Sequence, residues 1–431
     1  MHFLSRMVWA ALSCCLIAGC GDRELIPSPN IYVLSEDDPY ENVPDHFRTN
    51  EVDVLYVTDR AQTDMDPGAV TYGYERSYSL GYGSATVRIG KEDTTWDQLV
   101  TASRTHKRKD NFRVSIADIE EKGRFPETPF PLVAGESLVR DGLRHDSSVV
   151  ATHAAVAEKL RNEVRERLAK TPRKHAYVFI HGYNTTFDDA VSVAGEVWHF
   201  MPRMGVPIAY TWPAGQGGLR GYFYDRESGE FTIFHLKEFL RILRSIDELE
   251  QIHLIAHSRG TDVTITALRE LWIEMRELAF QNPDRPRKFG QIIIAAPDLD
   301  LDVIRQRLAA EEIIRQFRNF TVYMSKSDVA IGFSTWLFVS QKRVGRLEDL
   351  ELKKAEKMRQ RAKMQRNLTL INARVDTEFI GHSYFYSHPA VLSDLILILR
   401  DGLPPGEAHG RPLKRSPGGL FWTIEDAYPA S

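Results

Sequence analysis

Between about Ser147 and Arg400 the chain alternates short apolar runs with longer amphipathic stretches, and no other feature restricts its fold as tightly. Strands are expected over 176–180, 207–211, 252–256, 291–295, 320–324 and 374–380. Most of these runs are apolar at nearly every position, so both of their faces need cover. Helices are expected over 154–170, 187–202, 232–249, 261–280, 301–317 and 389–400, where apolar residues recur at helical spacing. Strands separated by helices imply the α/β class, a mostly parallel central sheet with helices on both faces. In such sheets reactive loops lie beyond the carboxyl ends of the strands.

Ahead of this region, 52–58 is a first strand and 72–90 reads as a hairpin-like β region. The stretch 91–144 is polar and irregular, with a candidate strand at 111–119. Of the 431 residues, 43% are hydrophobic and 26% charged, ordinary values that exclude a collagen-like, coiled-coil or largely disordered chain. A net charge of −4 provides no electrostatic reason to expect nucleic acid as a partner. No HExxH or similarly paired histidine spacing and no Gly-rich phosphate loop occurs, so neither a metal nor another cofactor is expected.

All three cysteines, Cys14, Cys15 and Cys20, lie near the N-terminus, which leaves no disulfide framework or thiolate metal site in the remainder. Arg6 precedes an uncharged apolar run over 7–18, too short to span a bilayer comfortably. Its end, Ala18-Gly19-Cys20, resembles a bacterial lipobox, in which the cysteine is lipidated and begins the mature chain. That resemblance implies a signal peptide over 1–19 and a lipid anchor at Cys20. It also implies a place in the bacterial cell envelope, on the periplasmic side of the inner or outer membrane. Residues 20–50, rich in Pro, Asp, Glu and Ser, read as a tether.

The most specific chemistry sits after the run 252–256, where Ala256-His257-Ser258-Arg259-Gly260 leads into a helical pattern. A strand, a sharp turn and a helix are the context that a G-x-S-x-G nucleophile turn needs. Ala256 replaces the first glycine but stays small, and Gly260 keeps the second position. Such a turn lifts Ser258 Oγ above the sheet and points a helix N-terminus at it, which favours the negative charge that develops in acyl transfer. The structural alternative for Ser258 is a helix N-cap.

After 176–180 comes His181-Gly182-Tyr183-Asn184. By position the Tyr183 and Arg259 amides are the candidate oxyanion donors, and His181 is a structural turn residue rather than the base. The run 52–58 with Asp59-Arg60, the turn Phe179-Ile180-His181-Gly182-Tyr183-Asn184, Ala256-His257-Ser258-Arg259-Gly260, Ala295-Ala296-Pro297-Asp298 and Gly381-His382-Ser383-Tyr384-Phe385 together resemble a bacterial family of α/β hydrolases of unknown function. The resemblance covers about 52–400. It implies an α/β-hydrolase fold and a serine hydrolase of the lipase or esterase kind, without naming a substrate. The hydrolase domain is expected over 51–400, with a β-rich part over 51–146, a catalytic core over 147–400, and a tail over 401–431.

Nucleophile, acid and histidine follow in that order in this superfamily. Asp328, after the strand two beyond the one that carries Ser258, is the expected acid that orients the imidazole. Asp298, with Asp300 close behind, is the alternative acid, and its structural role would be a cap before the helix 301–317. His382, at the end of 374–380, is the expected base, and His388 reads as a surface or cap residue. Tyr183 and Trp212 are candidates for an acyl pocket, with core packing an equal alternative for Trp212. The connection after Asp328 exceeds one crossover helix. It holds an apolar stretch over 331–339 and a basic segment, Lys353 to Arg366, that reads as a solvated helix or as a lid facing anionic lipid.

Three functions fit these residues: an esterase with a small-molecule or lipid acyl substrate, an acyltransferase, and a non-catalytic envelope lipoprotein that binds through the fold.

Overall fold

The computed structural model describes residues 23–63, 70–134, 143–281, 287–298, 307–308, 313–325, 367–376, 383–416 and 421–430. Among them the strands are β1 (Glu51–Gln62), β2 (Tyr72–Ile89), β3 (Val114–Arg124), β4 (Leu132–Ala134), β5 (Leu143–His145), β6 (His175–Ile180), β7 (Val206–Thr211), β8 (Gln251–His257), β9 (Phe289–Ala295), β10 (Asn319–Ser325), β11 (Leu368–Arg374), β12 (Lys414–Arg415) and β13 (Trp422–Glu425). The α-helices are α1 (Asn30–Val33), α2 (Trp96–Ser103), α3 (Ser147–Ala169), α4 (Phe187–Phe200), α5 (Gly218–Arg244), α6 (Gly260–Gln281), α7 (Tyr384–Ser387) and α8 (Pro389–Asp401).

Eleven strands form one sheet in the order β3-β2-β1-β7-β6-β8-β9-β10-β11-β13-β12, and β4 pairs with β5 as a separate ribbon. Every neighbouring pair from β1 across to β13 is parallel. The antiparallel pairs are β1 with β2, β2 with β3 and β12 with β13, at the two edges. This is an α/β-hydrolase architecture, a mostly parallel sheet with helices around it.

Alternation along each strand divides the core in two. Val178, Ile180, Leu254, Ala256, Ile292 and Ile294 pack with α3, α5 and α6 on one face. Tyr177, Phe179, Ile255, Ile293 and Ala295 pack with α2, α4 and α8 on the other. Successive side chains of a strand point to opposite faces, so a run covered on both sides must be apolar throughout.

Several boundaries differ from expectation. The region 72–90 is one long strand that pairs with β1 rather than a hairpin of its own. Helix α5 starts at Gly218, far ahead of 232, after Gly217 takes a positive φ of 74°. Of the strand expected over 374–380, Arg374 is the last residue of β11, and 377–380 lie outside the described residues. Pairing with β10 sets this register, aligning Tyr323 with Ile371 and burying Ile371 and Ala373. The helix expected over 301–317 falls mostly outside the described residues.

The described residues 23–50, 401–416 and 421–430 belong to the folded body, against the expected tether and tail. Leu25, Ile26, Tyr32, Tyr40 and Val43 are buried in the face that holds α4 and α8. Arg23 donates to the fully buried Glu196 carboxylate at 2.9 and 2.6 Å, and the Ile26 amide donates to the same group at 2.9 Å. At the other end β13 extends the sheet. Arg411, Tyr323 and Tyr428 all donate to the buried Asp394 carboxylate at 2.7–2.8 Å. Polar composition suggested loose segments. Those polar groups instead find partners far away in sequence, so burying them leaves few hydrogen bonds unmade.

Candidate active site

Strand β8 ends at His257 and α6 begins at Gly260, leaving two residues for a reversal of direction. Ser258 absorbs it with φ 52°, a left-handed conformation that is uncommon for a residue with a side chain. Its backbone is pinned: the Ser258 amide donates to the Ala295 carbonyl at 3.0 Å, and the Thr261 amide and hydroxyl donate to the Ser258 carbonyl at 3.0 and 2.6 Å. Only 3% of Ser258 is exposed.

Small residues let the neighbouring turn close on it. A Cβ on Gly182 would stand 2.7 Å from Ser258 Cβ. One on Gly260 would run into the His181 carbonyl oxygen and lie 2.8 Å from that of Ile180. The start of α6 and the end of β6 thus touch backbone to backbone. This places Gly182 beside Ser258, and Arg259 follows the serine directly in the chain. The N-terminus of α6 adds its partial positive charge there.

His181 supports the turn from beneath. It is fully buried, and its ring lies parallel to Trp212 with centroids 4.9 Å apart. The Trp212 amide donates to Nε2 at 3.0 Å, and Nδ1 lies 2.9 Å from the Gly182 carbonyl oxygen. Nε2 is therefore the acceptor and Nδ1 carries the proton. Burial, with Arg60 nearby, holds the His181 pKa well below the ordinary histidine value. Trp212 is itself fully buried under this ring and packs the core.

Two charged residues given no role in the sequence reading complete the scaffold. Arg60, 1% exposed, donates to the carbonyls of Gly73 (2.9 Å), Ala214 (2.6 Å) and Thr185 (2.8 Å), to Thr211 Oγ1 (2.8 Å), and approaches His181 Nε2 at 3.3 Å. One guanidinium so ties β1 and β2, the loop after β7 and the loop after β6 together. Burial lowers its pKa to about 10. Asp225 on α5, 1% exposed, accepts from the Asn184 amide at 2.8 Å, and Asn184 itself has φ 51°. Burial pushes the Asp225 pKa up to about 6. The available signal was a charged pair, Asp59-Arg60, at the end of an apolar strand. The carbonyls that Arg60 binds are scattered from 73 to 214, so spacing could not reveal its partners.

Asp298 follows β9 and is 6% exposed. Its Oδ2 accepts from Tyr222 Oη at 3.3 Å and lies 3.8 Å from Arg259 Nη1. Its amide is 3.5 Å from the Ser258 carbonyl oxygen, so this carboxylate does sit on the turn. Tyr183 presents its hydroxyl to the Gly218 carbonyl at 2.9 Å, and its ring lies 5.3 Å from Tyr222.

Asp328, His382, Asp300 and Cys20 lie outside the described residues, as do 331–339 and 353–366. Their flanks are placed. Strand β10, two positions from β8 in the sheet, ends at Ser325, and β11, the next one out, ends at Arg374. Phe385, just beyond Ser383, sets its ring tilted against that of His257, the neighbour of Ser258, with centroids 4.6 Å apart. His388 caps α8 through Nδ1, which accepts from the Ala390 amide at 3.2 Å, and its Nε2 lies 3.1 Å from Asp426. Among the described residues no cluster of three or more His, Cys, Asp or Glu could hold a metal, and no helix is long and apolar enough to cross a membrane.

A family model described as an alpha/beta hydrolase of unknown function (DUF900) matches residues 156–400. No curated protein matches the sequence. Among solved structures, an esterase of Pyrococcus furiosus is similar at 13% identity and a TM-score of 0.32, over 53% of this chain and 84% of that one. A lipase-esterase related protein from Clostridium acetobutylicum is similar at 11% identity and a TM-score of 0.21, over 50% of this chain and 80% of that one.

Proposed function

Since the chain belongs to the α/β-hydrolase family of unknown function, we propose that it is a serine hydrolase that cleaves a carboxylic ester or a related acyl bond. One observation carries the proposal: Ser258 is held at φ 52° between β8 and α6, with Gly182 directly against its Cβ. A hydroxyl in that position meets an acyl carbonyl whose oxygen can reach the Tyr183 and Arg259 amides.

In this mechanism Ser258 Oγ attacks the carbonyl carbon while His382 takes the serine proton. The oxyanion accepts from the two amides, the step that such sites stabilise most. His382 then protonates the leaving oxygen, the carbon–oxygen bond breaks, and an acyl-enzyme remains. Water repeats the sequence, giving its proton to His382, and the free acid departs. Asp328 orients the imidazole and stabilises its charged form. Asp298, already engaged with Arg259 and Tyr222, fits better as a residue that steadies the turn. The substrate class is a small-molecule or lipid acyl ester. Cys20 carries a lipid anchor in the cell envelope, a proposal that palmitate incorporation into wild type but not into Cys20→Ser would support.

A fluorophosphonate probe tests the catalytic proposal. It is expected to label the wild type at Ser258 and to leave Ser258→Ala unlabelled. A folded wild-type protein that takes no label would instead favour the non-catalytic lipoprotein. If labelling occurs, partition of the acyl group between water and an added alcohol separates hydrolysis from acyl transfer.

A further inference from the structure

A second polar chain ends in an apolar cavity of ≈ 360 Å³, lined by Leu80, Phe125, Phe130, Val150, Phe234 and Ile242 among others. None of Ser258, Tyr183, Arg259 or Asp298 lines it. Its volume is that of a small-molecule site. Asp59, fully buried within β1, places Oδ2 2.9 Å from Nδ1 of His235, itself 3% exposed. His235 Nε2 lies 2.9 Å from Thr128 Oγ1, and both His235 and Thr128 line the cavity. A carboxylate on Nδ1 fixes the proton there, so Nε2 faces the cavity side as an acceptor. Thr128 Oγ1 also lies 3.2 Å from the Tyr78 carbonyl oxygen. Its proton therefore has a second acceptor, and Nε2 can be released to an entering hydroxyl without stranding a buried donor.

Charge narrows the ligand. No lysine or arginine lines the cavity. His153, which also lines it, is held below the ordinary histidine pKa by burial, and the lining Glu238 brings a carboxylate that is paired with Arg241. An anionic head group would find no lysine or arginine to pair with, whereas a hydroxyl finds Nε2. The mouth continues as apolar surface. His145 on β5 lines the cavity, its partner across the ribbon is Leu132, and Leu143 stands two residues before it. Cross-strand partners and i,i+2 neighbours share a face, so Leu132 and Leu143 prolong the apolar wall outward. They are 56% and 64% exposed, and Val150 and Phe234 beside the mouth are 45% and 44% exposed. Exposed apolar surface grouped at a cavity marks a binding site rather than chance.

We propose that this cavity is a second, non-catalytic site for an uncharged single-chain amphiphile with a hydroxyl head group. The hydroxyl bonds at His235 and Thr128, and the chain leaves along Val150, Phe234 and the β4-β5 ribbon. The site stands apart from Ser258, so its occupancy is read in Ser258→Ala protein, where no ester chemistry intervenes. Titration calorimetry with 1-decanol, decanoate and decyl methyl ether is expected to show one decanol site, bound at least ~10-fold tighter than either comparator, a ratio of the size one desolvated hydrogen bond supplies. Val150→Trp, which fills the mouth from an exposed helix position, and Leu143→Glu, on the exposed ribbon, are each expected to weaken decanol binding ~10-fold or more. Fluorophosphonate labelling of the same two variants with Ser258 intact stays at the wild-type rate. Absence of decanol binding, equal binding of all three probes, or binding unchanged in both variants overturns the proposal. None of these results bears on Ser258, whose labelling is scored separately.

Discussion

Gly182→Ala tests the geometry at Ser258 by the smallest available addition. The new methyl would begin 2.7 Å from Ser258 Cβ and 3.1 Å from His257 Nδ1. Carbon atoms rest at ~3.5–4.0 Å, so the Gly182-Tyr183 turn and the serine must part by about 1 Å. Gly182 has no positive φ, so alanine adds no backbone strain and the effect is one of packing alone. Overpacking of this size costs about 1–3 kcal/mol of stability. A misplacement of about 1 Å between reacting group and partner costs ~10²-fold in rate. The expected result is a folded protein, checked by circular dichroism and thermal melting, whose fluorophosphonate labelling and short-chain ester hydrolysis both fall ~10²-fold, with Ser258→Ala as the zero. A folded Gly182→Ala with rates within about threefold of wild type refutes the view that the Tyr183 amide works on chemistry at Ser258.

Arg60→Lys retains charge but replaces a planar fork by a point donor, leaving carbonyls among Gly73, Ala214 and Thr185 without their partner. A labelling rate reduced at least ~10-fold, with the melting point lowered by a few degrees, is expected; unchanged labelling in a destabilised protein would confine Arg60 to stability. Asp225 has its folded pKa raised to about 6, so the folded protein holds more protons than the unfolded chain between the ordinary aspartate range and that value. Wild type therefore loses stability as pH rises through this window, by up to about 3 kcal/mol, and Asp225→Asn does not; urea midpoints from pH 4 to pH 7.5 check the difference in slope. Arg411→Leu leaves the Asp394 carboxylate buried with two tyrosine donors and no counter-charge, which costs about 3–5 kcal/mol. Its denaturant midpoint should drop accordingly, and hydrogen exchange should quicken first in the segment from Leu413 to Tyr428; protection equal to wild type would contradict the role given to the pair.

The local structure around Ser258 was legible because its signals are local. A run apolar at every position, a two-residue reversal and a helical pattern follow one another within residues 251–281, and each step is dictated by neighbours in the chain. The same holds for the turn from His181 to Asn184. Errors arose where the decisive partner was distant. The end of β11 follows from its register with β10, which no pattern inside 368–380 announces. The segments near residues 25–43 and 411–428 look loose by composition, yet Glu196 and Asp394 secure them from other parts of the chain.

Read alone, then, the sequence determined the class of fold, the strand-to-helix turn at Ser258 and the glycines that turn requires, because backbone sterics and alternating burial act over a few residues. The tertiary structure alone decided that Arg60 and Asp225 hold the loops around that turn, that residues near 25–43 and 421–428 are part of the body, and that Asp59, His235 and Thr128 meet at a second cavity. Each of those depends on a charge or hydroxyl leaving water, and only the completed fold brings in the partners that make such burial tolerable.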